Sequence, residues 1–388
     1  MVIDDFARRE LEALRTAGLQ RRPRWIDGAQ DTWVTVDGRR ALLLCSNNYL
    51  GLANHPAVRE AAQKAAVDYG AGAGASRLIS GSMRLHHALE EQLAAFKCTE
   101  AALLFNSGYH ANIGTITALL GKEDAVFSDE LNHASVIDGC RLSGARICVY
   151  RHNDVGALAA LLAGTTARRK LVVTESIFSM DGDTAPLSAI CEVAERHGAF
   201  VMVDEAHATG VVGPQGCGVV AAEGLQQRVA IQMGTLGKAV GTFGAFVAGS
   251  RALVDLLLNT ARSFVYTTAL PPPVVAAAAA ALTIISSDPE RRQRLEDNAA
   301  YLHRGFKQIG LSVGARPTHI LPVPIGDADR AMRVSDRLLA AGVFVQGIRP
   351  PTVPAGTARL RVTAMSTHTQ EDLAFALEAF RRVFSEES

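Results

Sequence analysis

The sequence predicts an α/β fold, with a mainly parallel sheet covered by helices on both faces and a smaller α+β domain after it. Three observations lead to this prediction. Between residues 102 and 247, short apolar runs alternate with segments of helical periodicity, as in a sheet built from strand–helix units. The proline cluster Pro271–Pro273 interrupts the alternation. The length of 388 residues suits about two domains.

The elements of the larger part follow in order. Seven apolar runs are predicted strands: Ala102–Phe105, Ala125–Phe127, Arg146–Tyr150, Leu171–Thr174, Phe200–Val203, Val229–Met233 and Ala245–Val247. Segments of helical spacing lie between them: Ala111–Leu120, Val155–Ala163 and Leu187–His197. Because ligands bind beyond the carboxyl ends of the strands in such a sheet, the residues that follow each run are the candidates for chemistry.

The pattern changes after the proline cluster. Helices are predicted at about 274–287, 289–309, 328–341 and 369–383, with strands at His319–Pro324, Val343–Gly347 and Arg359–Thr363. The first residues form a charged amphipathic helix and a hairpin-like segment, which we expect to pack with this smaller part. We therefore predict an N-terminal segment at 1–45, a large domain at 46–273 and a small C-terminal domain at 274–388.

Composition and charge exclude several classes of protein. Lys+Arg and Asp+Glu both number 39, so the net charge is zero, whereas nucleic-acid-binding proteins usually carry a basic excess. No apolar stretch approaches the roughly 18 residues that a membrane span needs, and the amino-terminal helix lacks the apolar core of a signal peptide. Six cysteines without CxxC pairs are typical of reduced thiols. We expect a cytoplasmic protein with no nucleic-acid or membrane partner.

Three sequence patterns resemble known motifs but lack the context that the function of each motif requires. Asp204–His207 reads DEAH, as in helicases, but neither Gly121–Lys122 nor Gly237–Lys238 provides the phosphate loop that a helicase needs. The glycines of Gly70–Gly74 resemble a dinucleotide-binding fingerprint, yet they follow a helical pattern rather than a strand. His86–His87 and the dispersed acidic residues lack the spacing of metal ligands, so no metal site is predicted.

The scarcity of lysine narrows the search for a catalytic amine. The chain has 6 lysines and 33 arginines. Five lysines lie in amphipathic patterns or beside other charges and are expected in solvent: Lys64, Lys97, Lys122, Lys170 and Lys307. Lys238 instead follows an apolar run within a glycine-rich, almost uncharged segment. Desolvation makes an amine there a better nucleophile toward a carbonyl.

The aldehyde cofactor that forms a Schiff base with lysine is pyridoxal 5′-phosphate. Asp204 ends a predicted strand, where its carboxylate can pair with the nitrogen of the pyridine ring. His207, three residues later, can reach the phenolic oxygen of the ring. These two residues and Lys238 supply the chemistry that this cofactor demands.

Further contacts to the cofactor are predicted at other strand ends. Ser107, Gly108 and Tyr109 follow a strand and open a helix, where free backbone N–H groups bind phosphate. Thr235 can add a hydroxyl to this cradle. Two more residues follow strands, His133 as a candidate to stack on the ring and Ser179 as a polar contact.

In this order, these segments resemble the α-oxoamine synthases, a branch of the fold-type I pyridoxal phosphate enzymes. The shared segments span nearly the whole chain: Ser46–Leu52, Gly70–Arg77, Asn106–Tyr109, Asp204–Gly210 and Gly234–Lys238. The family condenses an amino acid with an acyl thioester and releases carbon dioxide. The resemblance implies a homodimer with active sites at the interface.

The resemblance also implies a role for each matching residue. Lys238 would hold the cofactor and move protons, Asp204 would pair with the ring nitrogen and His133 would stack on the ring. The ring oxygen would be contacted by His207 and Ser179. The phosphate would be bound by Gly108, Tyr109 and Thr235 and, across the interface, by Thr267 and Thr268. The amino acid substrate would be bound by Asn47, Arg349, Thr352 and Arg361.

Within the family, the string Ile348–Pro354 resembles the members that join L-alanine to a pimeloyl thioester, carried by coenzyme A or by an acyl carrier protein. Those members use an arginine near the amino terminus for the distal carboxylate of the pimeloyl chain. Arg21 and Arg22 are the two candidates, because a guanidinium grips a carboxylate with two hydrogen bonds. The alternatives are a glycine C-acetyltransferase, an aminotransferase, or a non-catalytic subunit of the same fold, which would be expected to lack Lys238.

Overall fold

The computed structural model describes residues 2–386 and divides into two compact units. The central unit consists of Asn47–Ser179 and Asp183–Gln293. The terminal unit consists of the described residues up to Ser46, the short stretch Met180–Gly182 and the described residues from Arg294 onward. The amino-terminal residues are therefore grouped with the carboxyl-terminal ones.

The strands are, in chain order, β1 (Ile26–Asp27), β2 (Trp33–Val36), β3 (Arg39–Leu43), β4 (Ala101–Phe105), β5 (Ala125–Asp129), β6 (Arg146–Tyr150), β7 (Lys170–Glu175), β8 (Ala199–Asp204), β9 (Ile231–Thr235), β10 (Ala245–Gly249), β11 (Ile320–Gly326), β12 (Val343–Phe344), β13 (Gln346–Ile348) and β14 (Ala358–Thr363).

The α-helices are α1 (Ile3–Thr16), α2 (Pro56–Tyr69), α3 (Arg84–Lys97), α4 (Gly108–Leu119), α5 (Ala134–Ser143), α6 (Val155–Ala163), α7 (Leu187–Arg196), α8 (Val219–Ala222), α9 (Arg251–Thr260), α10 (Arg262–Val265), α11 (Pro272–Ser287), α12 (Pro289–Gln308), α13 (Ala328–Ala340) and α14 (Gln370–Ser385). Short 3-10 helices occupy Leu52–Asn54 and Pro214–Gly216.

A seven-stranded sheet in the order β4-β10-β9-β8-β7-β5-β6 forms the core of the central unit. β10 runs antiparallel to both of its neighbours, and the remaining neighbouring pairs are parallel. Apolar residues of these strands, such as Leu103, Val173 and Met202, share one buried cluster with side chains of α4, α5 and α9. The predicted fold class, a mainly parallel sheet with covering helices, is confirmed.

The register of the sheet brings several strand ends to one edge. Glu175 at the end of β7 lies opposite Asp204 at the end of β8, and Asp204 lies opposite Met233 of β9. The helices α4 and α5 begin shortly after β4 and β5. Polar side chains on these ends and helix starts are therefore gathered at the carboxyl edge of the sheet.

Helix α11 belongs to the central unit, although the sequence placed its residues in the small domain. It packs against α2 and α3, and Val275, Ala278 and Leu282 are buried. Pro272 occupies its first turn, a position where a missing backbone N–H costs nothing. The proline cluster thus starts a helix, and the division between the units falls after Gln293.

The terminal unit contains two small sheets, in the orders β1-β2-β3-β12 and β11-β14-β13. The run Val343–Gly347, predicted as one strand, is divided between them. β12 pairs with β3 in parallel, whereas β13 pairs with β14 in antiparallel fashion. Because the two halves of the run pair with different strands, the apolar pattern alone did not indicate where the first strand ends and the second begins.

Lys97 corrects a sequence expectation, because it is buried rather than solvated. It ends α3 with none of its side chain exposed, and its ammonium group is paired with the equally buried carboxylate of Glu205. It also donates to the backbone carbonyl of Cys217, while Glu205 accepts the N–H of Val220 at 3.0 Å. A buried charge requires such partners. The ion pair therefore connects Glu205, the residue after Asp204, to α3.

All six cysteines are free thiols. Four of them are buried, Cys45 is half-buried and Cys98 is exposed. Within residues 2–386, no helix combines the length and the apolar character that crossing a membrane requires.

A histidine clamp holds the loop that follows β7. His152 Nδ1 lies 3.0 Å from an oxygen of Asp129, and Nε2 lies 2.7 Å from an oxygen of Asp183. The ring also packs edge-on against Phe178, with 4.4 Å between centroids. Burial alone would lower the pKa of His152, but the hydrogen bonds and charges of the two carboxylates raise it to about 10. The clamp is therefore an ion triad at neutral pH.

We predict that His152→Gln destabilises the protein by about 1.5–3 kcal/mol, the value of hydrogen bonds to a charged group. The folded-state pKa of about 10 exceeds that of an unfolded histidine, near 6.5. The stabilisation is therefore complete below pH 6.5 and is lost as the pH rises toward 10. Thermal unfolding at several pH values measures it, with the exposed His87→Gln as the matched control. A difference that stays constant from pH 6.5 to 10 would contradict the clamp.

Candidate active site

A cavity opens at the carboxyl edge of the central sheet. Its walls come from the first turns of α4 and α5 and from the ends of β7, β8 and β9. The lining residues are Gly108, Tyr109, Asn112, His133, Ser135, Glu175, Asp204, Ala206, His207, Met233, Thr235 and Lys238. Seven of the residues predicted from the sequence share this wall: Gly108, Tyr109, His133, Asp204, His207, Thr235 and Lys238.

Lys238 is half-buried and lies three residues after β9. Its Nζ is 2.7 Å from Nε2 of His207. Nδ1 of His207 is in turn 2.7 Å from the hydroxyl of Tyr49, and this hydroxyl donates to Oδ1 of Asn47 at 2.9 Å. The candidate nucleophile thus belongs to a continuous chain of hydrogen bonds. The role of Tyr49 was not predicted, although the residue lies in the segment Ser46–Leu52.

Asp204 is 4% exposed and presents its carboxylate to the cavity. Oδ1 accepts the backbone N–H of Ala206 at 2.8 Å, and Oδ2 accepts from the side-chain amide of Asn112 at 2.9 Å. These donors support a charged carboxylate away from water. Asn112 was missed by the sequence analysis, since only its placement on α4, 92 residues away, reveals its partner.

His133 caps the start of α5 and lines the cavity. Its Nδ1 accepts the backbone N–H of Ser135 at 3.2 Å and lies 2.8 Å from the hydroxyl of the same residue. That hydroxyl accepts from the amide of Asn112 at 2.9 Å, so its proton points to Nδ1. The proton of the neutral imidazole is therefore on Nε2.

The environment of His133 favours this neutral form. The ring is open to the cavity, yet the protein around it removes enough water to lower its pKa, and the charge of Lys238 lowers it further against the opposing effect of Asp204. A neutral imidazole with its proton on Nε2 is a hydrogen-bond donor.

Glu175 is a further cavity residue that the sequence analysis did not single out. It is 2% exposed, and burial together with the charge of Asp204 raises its pKa to about 8, against the opposing charge of Lys238. It accepts the backbone N–H of Ser179 at 3.3 Å. Glu175 is consequently protonated at neutral pH, whereas the Asp204 carboxylate is held by two hydrogen-bond donors. Its position at the end of β7, beside Asp204, is the feature that could have indicated it.

The predicted phosphate cradle lies at the start of α4. Ser107 is the N-cap and accepts the N–H of His110 at 3.2 Å. The N–H groups of Gly108 and Tyr109 belong to the first turn, where no carbonyl of the helix is available. The buried Thr235 donates to the carbonyl of Gly244 at 3.1 Å and lines the same cavity. A Cβ built on Gly108 would meet only Met233, at 3.8 Å, so it would fill space that the cavity leaves open.

Four predicted cofactor residues are not part of the lining of this cavity: Ser107, which caps α4 next to it, and Ser179, Thr267 and Thr268. Ser179 is buried in the loop that the His152 clamp holds, and its backbone meets Glu175. Thr267 and Thr268 lie beside Asn106, whose amide donates to Oγ1 of Thr267 at 3.0 Å and to the carbonyl of Thr268 at 2.9 Å. Both threonines are predicted to bind the phosphate held by a partner subunit, so this contact would form only with a second copy of the chain.

The terminal unit carries the other predicted substrate residues. Arg21 is exposed and donates to Oγ1 of Thr352 at 3.4 Å. Arg349 is half-buried and donates to the carbonyls of Gly18 and, at 2.7 Å, Gln20. It therefore fixes the segment that leads to Arg21. Arg361 lies on β14 and is 7% exposed.

The cavity residues fit pyridoxal 5′-phosphate. Lys238 offers an amine for its aldehyde, Asp204 a charged carboxylate for its ring nitrogen, and the start of α4 offers N–H donors for its phosphate. Among residues 2–386, no group of three or more His, Cys, Asp or Glu side chains is placed to hold a metal ion.

Known proteins match this chain over nearly its whole length. The sequence profile of the aminotransferase class I and II family matches residues 39–380. An 8-amino-7-oxononanoate synthase of Geobacter metallireducens is 53% identical over 371 residues, which cover 95% of this chain and 95% of that protein.

Solved structures agree with the sequence matches. A serine palmitoyltransferase from S. paucimobilis with a bound PLP–myriocin aldimine has a TM-score of 0.94 at 34% identity and covers 100% of this chain and 99% of that chain. An 8-amino-7-oxononanoate synthase from Francisella tularensis has a TM-score of 0.77 at 28% identity, with 89% of this chain and 98% of that chain covered. The chain belongs to the aminotransferase class I and II family and, within it, to the α-oxoamine synthases, fold-type I enzymes that use pyridoxal 5′-phosphate.

Proposed function

We propose that this enzyme joins L-alanine to a pimeloyl thioester to give 8-amino-7-oxononanoate, carbon dioxide and a free thiol, a step of biotin biosynthesis. The observation that carries the proposal is the Lys238 amine, held 2.7 Å from His207 in the cavity that also contains the Asp204 carboxylate. The choice of substrates is supported by the 8-amino-7-oxononanoate synthase that is 53% identical over 95% of the chain.

In the proposed reaction, a carbon–carbon bond forms between the α-carbon of alanine and the carbonyl carbon of the thioester. The carbon–sulfur bond breaks and the thiol leaves, and the bond to the alanine carboxylate then breaks to release carbon dioxide. Pyridoxal phosphate, when bound, supplies a ring that withdraws the electron pair left on the α-carbon.

The side chains of the central unit divide the proton transfers between them. Lys238 binds the cofactor, then takes the α-proton of alanine and returns a proton to the product. Asp204 keeps the ring nitrogen protonated, because its charge is held by Ala206 and Asn112. His133 donates the N–H on Nε2 to the thioester oxygen as negative charge develops there.

The terminal unit is proposed to hold both ends of the substrate pair. Arg349 and Arg361 bind the carboxylate of alanine, and Thr352 lies against the substrate. Arg21 binds the distal carboxylate of the pimeloyl chain, with Arg22 as the alternative. The hydrogen bond from Arg21 to Thr352 supports a shared role for these two residues.

We expect the enzyme to release free thiol from pimeloyl-CoA or from a pimeloyl-carrier protein only when L-alanine is present. Thiol release from each thioester, with L-alanine, glycine or L-serine, measures the preference. Lys238→Ala is the inactive control, because it removes the amine that binds the cofactor. Faster release with acetyl-CoA and glycine would identify a glycine C-acetyltransferase instead, and transamination of alanine without thioester would identify an aminotransferase.

Arg21→Ala should raise KM for the pimeloyl thioester by about 10- to 100-fold, the equivalent of a lost hydrogen bond between charged groups. KM for alanine should change little, because its carboxylate binds elsewhere. Arg22→Ala is measured alongside, and Arg8→Ala, an exposed arginine of α1, is the control. An equal rise of both KM values would contradict the carboxylate grip.

We further propose a homodimer with active sites at its interface. Large apolar side chains of the central unit are exposed, including Ile79 at 81% and Tyr266 at 73%, together with Leu78 and Phe243. Ser76, three residues before Ile79, pairs with Thr268, two residues after Tyr266, so these exposed apolar side chains lie on neighbouring segments, which favours an interface. Tyr266 directly precedes Thr267 and Thr268, the residues assigned to the partner's phosphate. The free thiols support a cytoplasmic location.

Sedimentation should show a dimer for the wild type and a smaller species for Ile79→Asp, since a buried charge at an interface costs several kcal/mol. Val149→Asp on β6, 58% exposed in the wild type, is the matched control and should remain a dimer. A monomeric wild type would contradict the shared site.

A further inference from the structure

Three polar side chains connect Lys238 to the amino-terminal end of the central unit. Nζ of Lys238 lies 2.7 Å from Nε2 of His207. Nδ1 of His207 lies 2.7 Å from the hydroxyl of Tyr49, which lies 2.9 Å from Oδ1 of Asn47. Tyr49 is fully buried and His207 is 4% exposed, so these bonds form away from bulk water.

The chemistry of the two ends decides which way the hydrogen bonds point. An ammonium group only donates, so a charged Lys238 requires a lone pair on Nε2 of His207. The amide oxygen of Asn47 only accepts, so the single hydroxyl proton of Tyr49 is directed to it. The Tyr49 oxygen then accepts from His207, which places the proton of the neutral imidazole on Nδ1.

We propose that Tyr49 is a positioning residue that holds His207 as the Nδ1–H tautomer, with the lone pair of Nε2 toward the Lys238 amine. Lys238 must be uncharged before it can attack the aldehyde of the cofactor. His207 takes the ammonium proton on Nε2 and becomes an imidazolium, whose Nδ1–H remains bonded to Tyr49. No other bond is made or broken in this step.

Other charged groups face this pair from the neighbouring elements. Glu175 at the end of β7 and His133 at the start of α5 interact with Lys238, and both also interact with Asp204 at the end of β8. Glu175 is protonated at neutral pH because its pKa is raised to about 8, and His133 is neutral because burial lowers its pKa. His207 lies within hydrogen-bond distance of the ammonium group, at 2.7 Å.

The tautomer can be measured directly in the full-length chain before cofactor is added. Histidine-labelled 15N NMR near pH 8 distinguishes a protonated Nδ1 from a protonated Nε2, and a His207→Gln sample identifies the resonance. We expect wild-type His207 to carry the proton on Nδ1. In Tyr49→Phe, which keeps the ring and removes the acceptor, we expect the proton to be shared between Nδ1 and Nε2, because only Lys238 then favours the Nδ1–H form. Tyr150→Phe, at another buried tyrosine of the central unit, should leave His207 unchanged.

The rate at which added pyridoxal phosphate forms its Schiff base, followed by absorbance, provides the second readout. Tyr49→Phe should slow this rate by at least about 10-fold at pH 7 and approach the wild-type rate as the pH rises, because the amine then loses its proton to water. A purely structural role would slow it equally at every pH. A wild-type His207 protonated on Nε2 would overturn the proposal even if the variant failed to fold, as would an unchanged tautomer and rate in Tyr49→Phe.

Discussion

The buried carboxylate of Asp204 is the constraint on which the rest of the site depends. At 4% exposure it must be satisfied by protein groups, and the turn after β8 and the amide of Asn112 provide them. The next residue, Glu205, is also buried, but its partner is Lys97 on the opposite side. Two successive carboxylates thus leave the strand in different directions, one to the cavity and one to the core. The ion pair in the core holds the strand end that presents Asp204.

The two histidines of the cavity have distinct surroundings. His133 is fixed through Ser135 and Asn112, which connect it to Asp204, and it offers a donor to the cavity. His207 contacts Lys238 directly. Glu175 is protonated below its pKa of about 8, so it adds no negative charge beside Asp204 at neutral pH.

The sequence predicted those features that depend on local pattern. Buried strands are continuous apolar runs, so the strands of the central sheet were recognisable, and Lys238 was notable for the lack of charge around it. Features created by distant contacts were not accessible. Lys97 lies in an amphipathic helical pattern, and only Glu205, 108 residues away, explains its burial. Tyr49 and Asn112 likewise gain their roles from His207 and Asp204, and the run Val343–Gly347 divides because its halves pair with different strands.

The central claim is that Lys238 and Asp204 serve a decarboxylative condensation of alanine with a long, carboxylate-ended acyl group. Incubation of the holoenzyme with L-[1-13C]alanine and a pimeloyl thioester tests it most directly, with mass analysis of both the gas and the amine product. We predict one 13CO2 for each unlabelled 8-amino-7-oxononanoate formed. Label retained in the product, or a keto acid formed from alanine without consumption of the thioester, would contradict it.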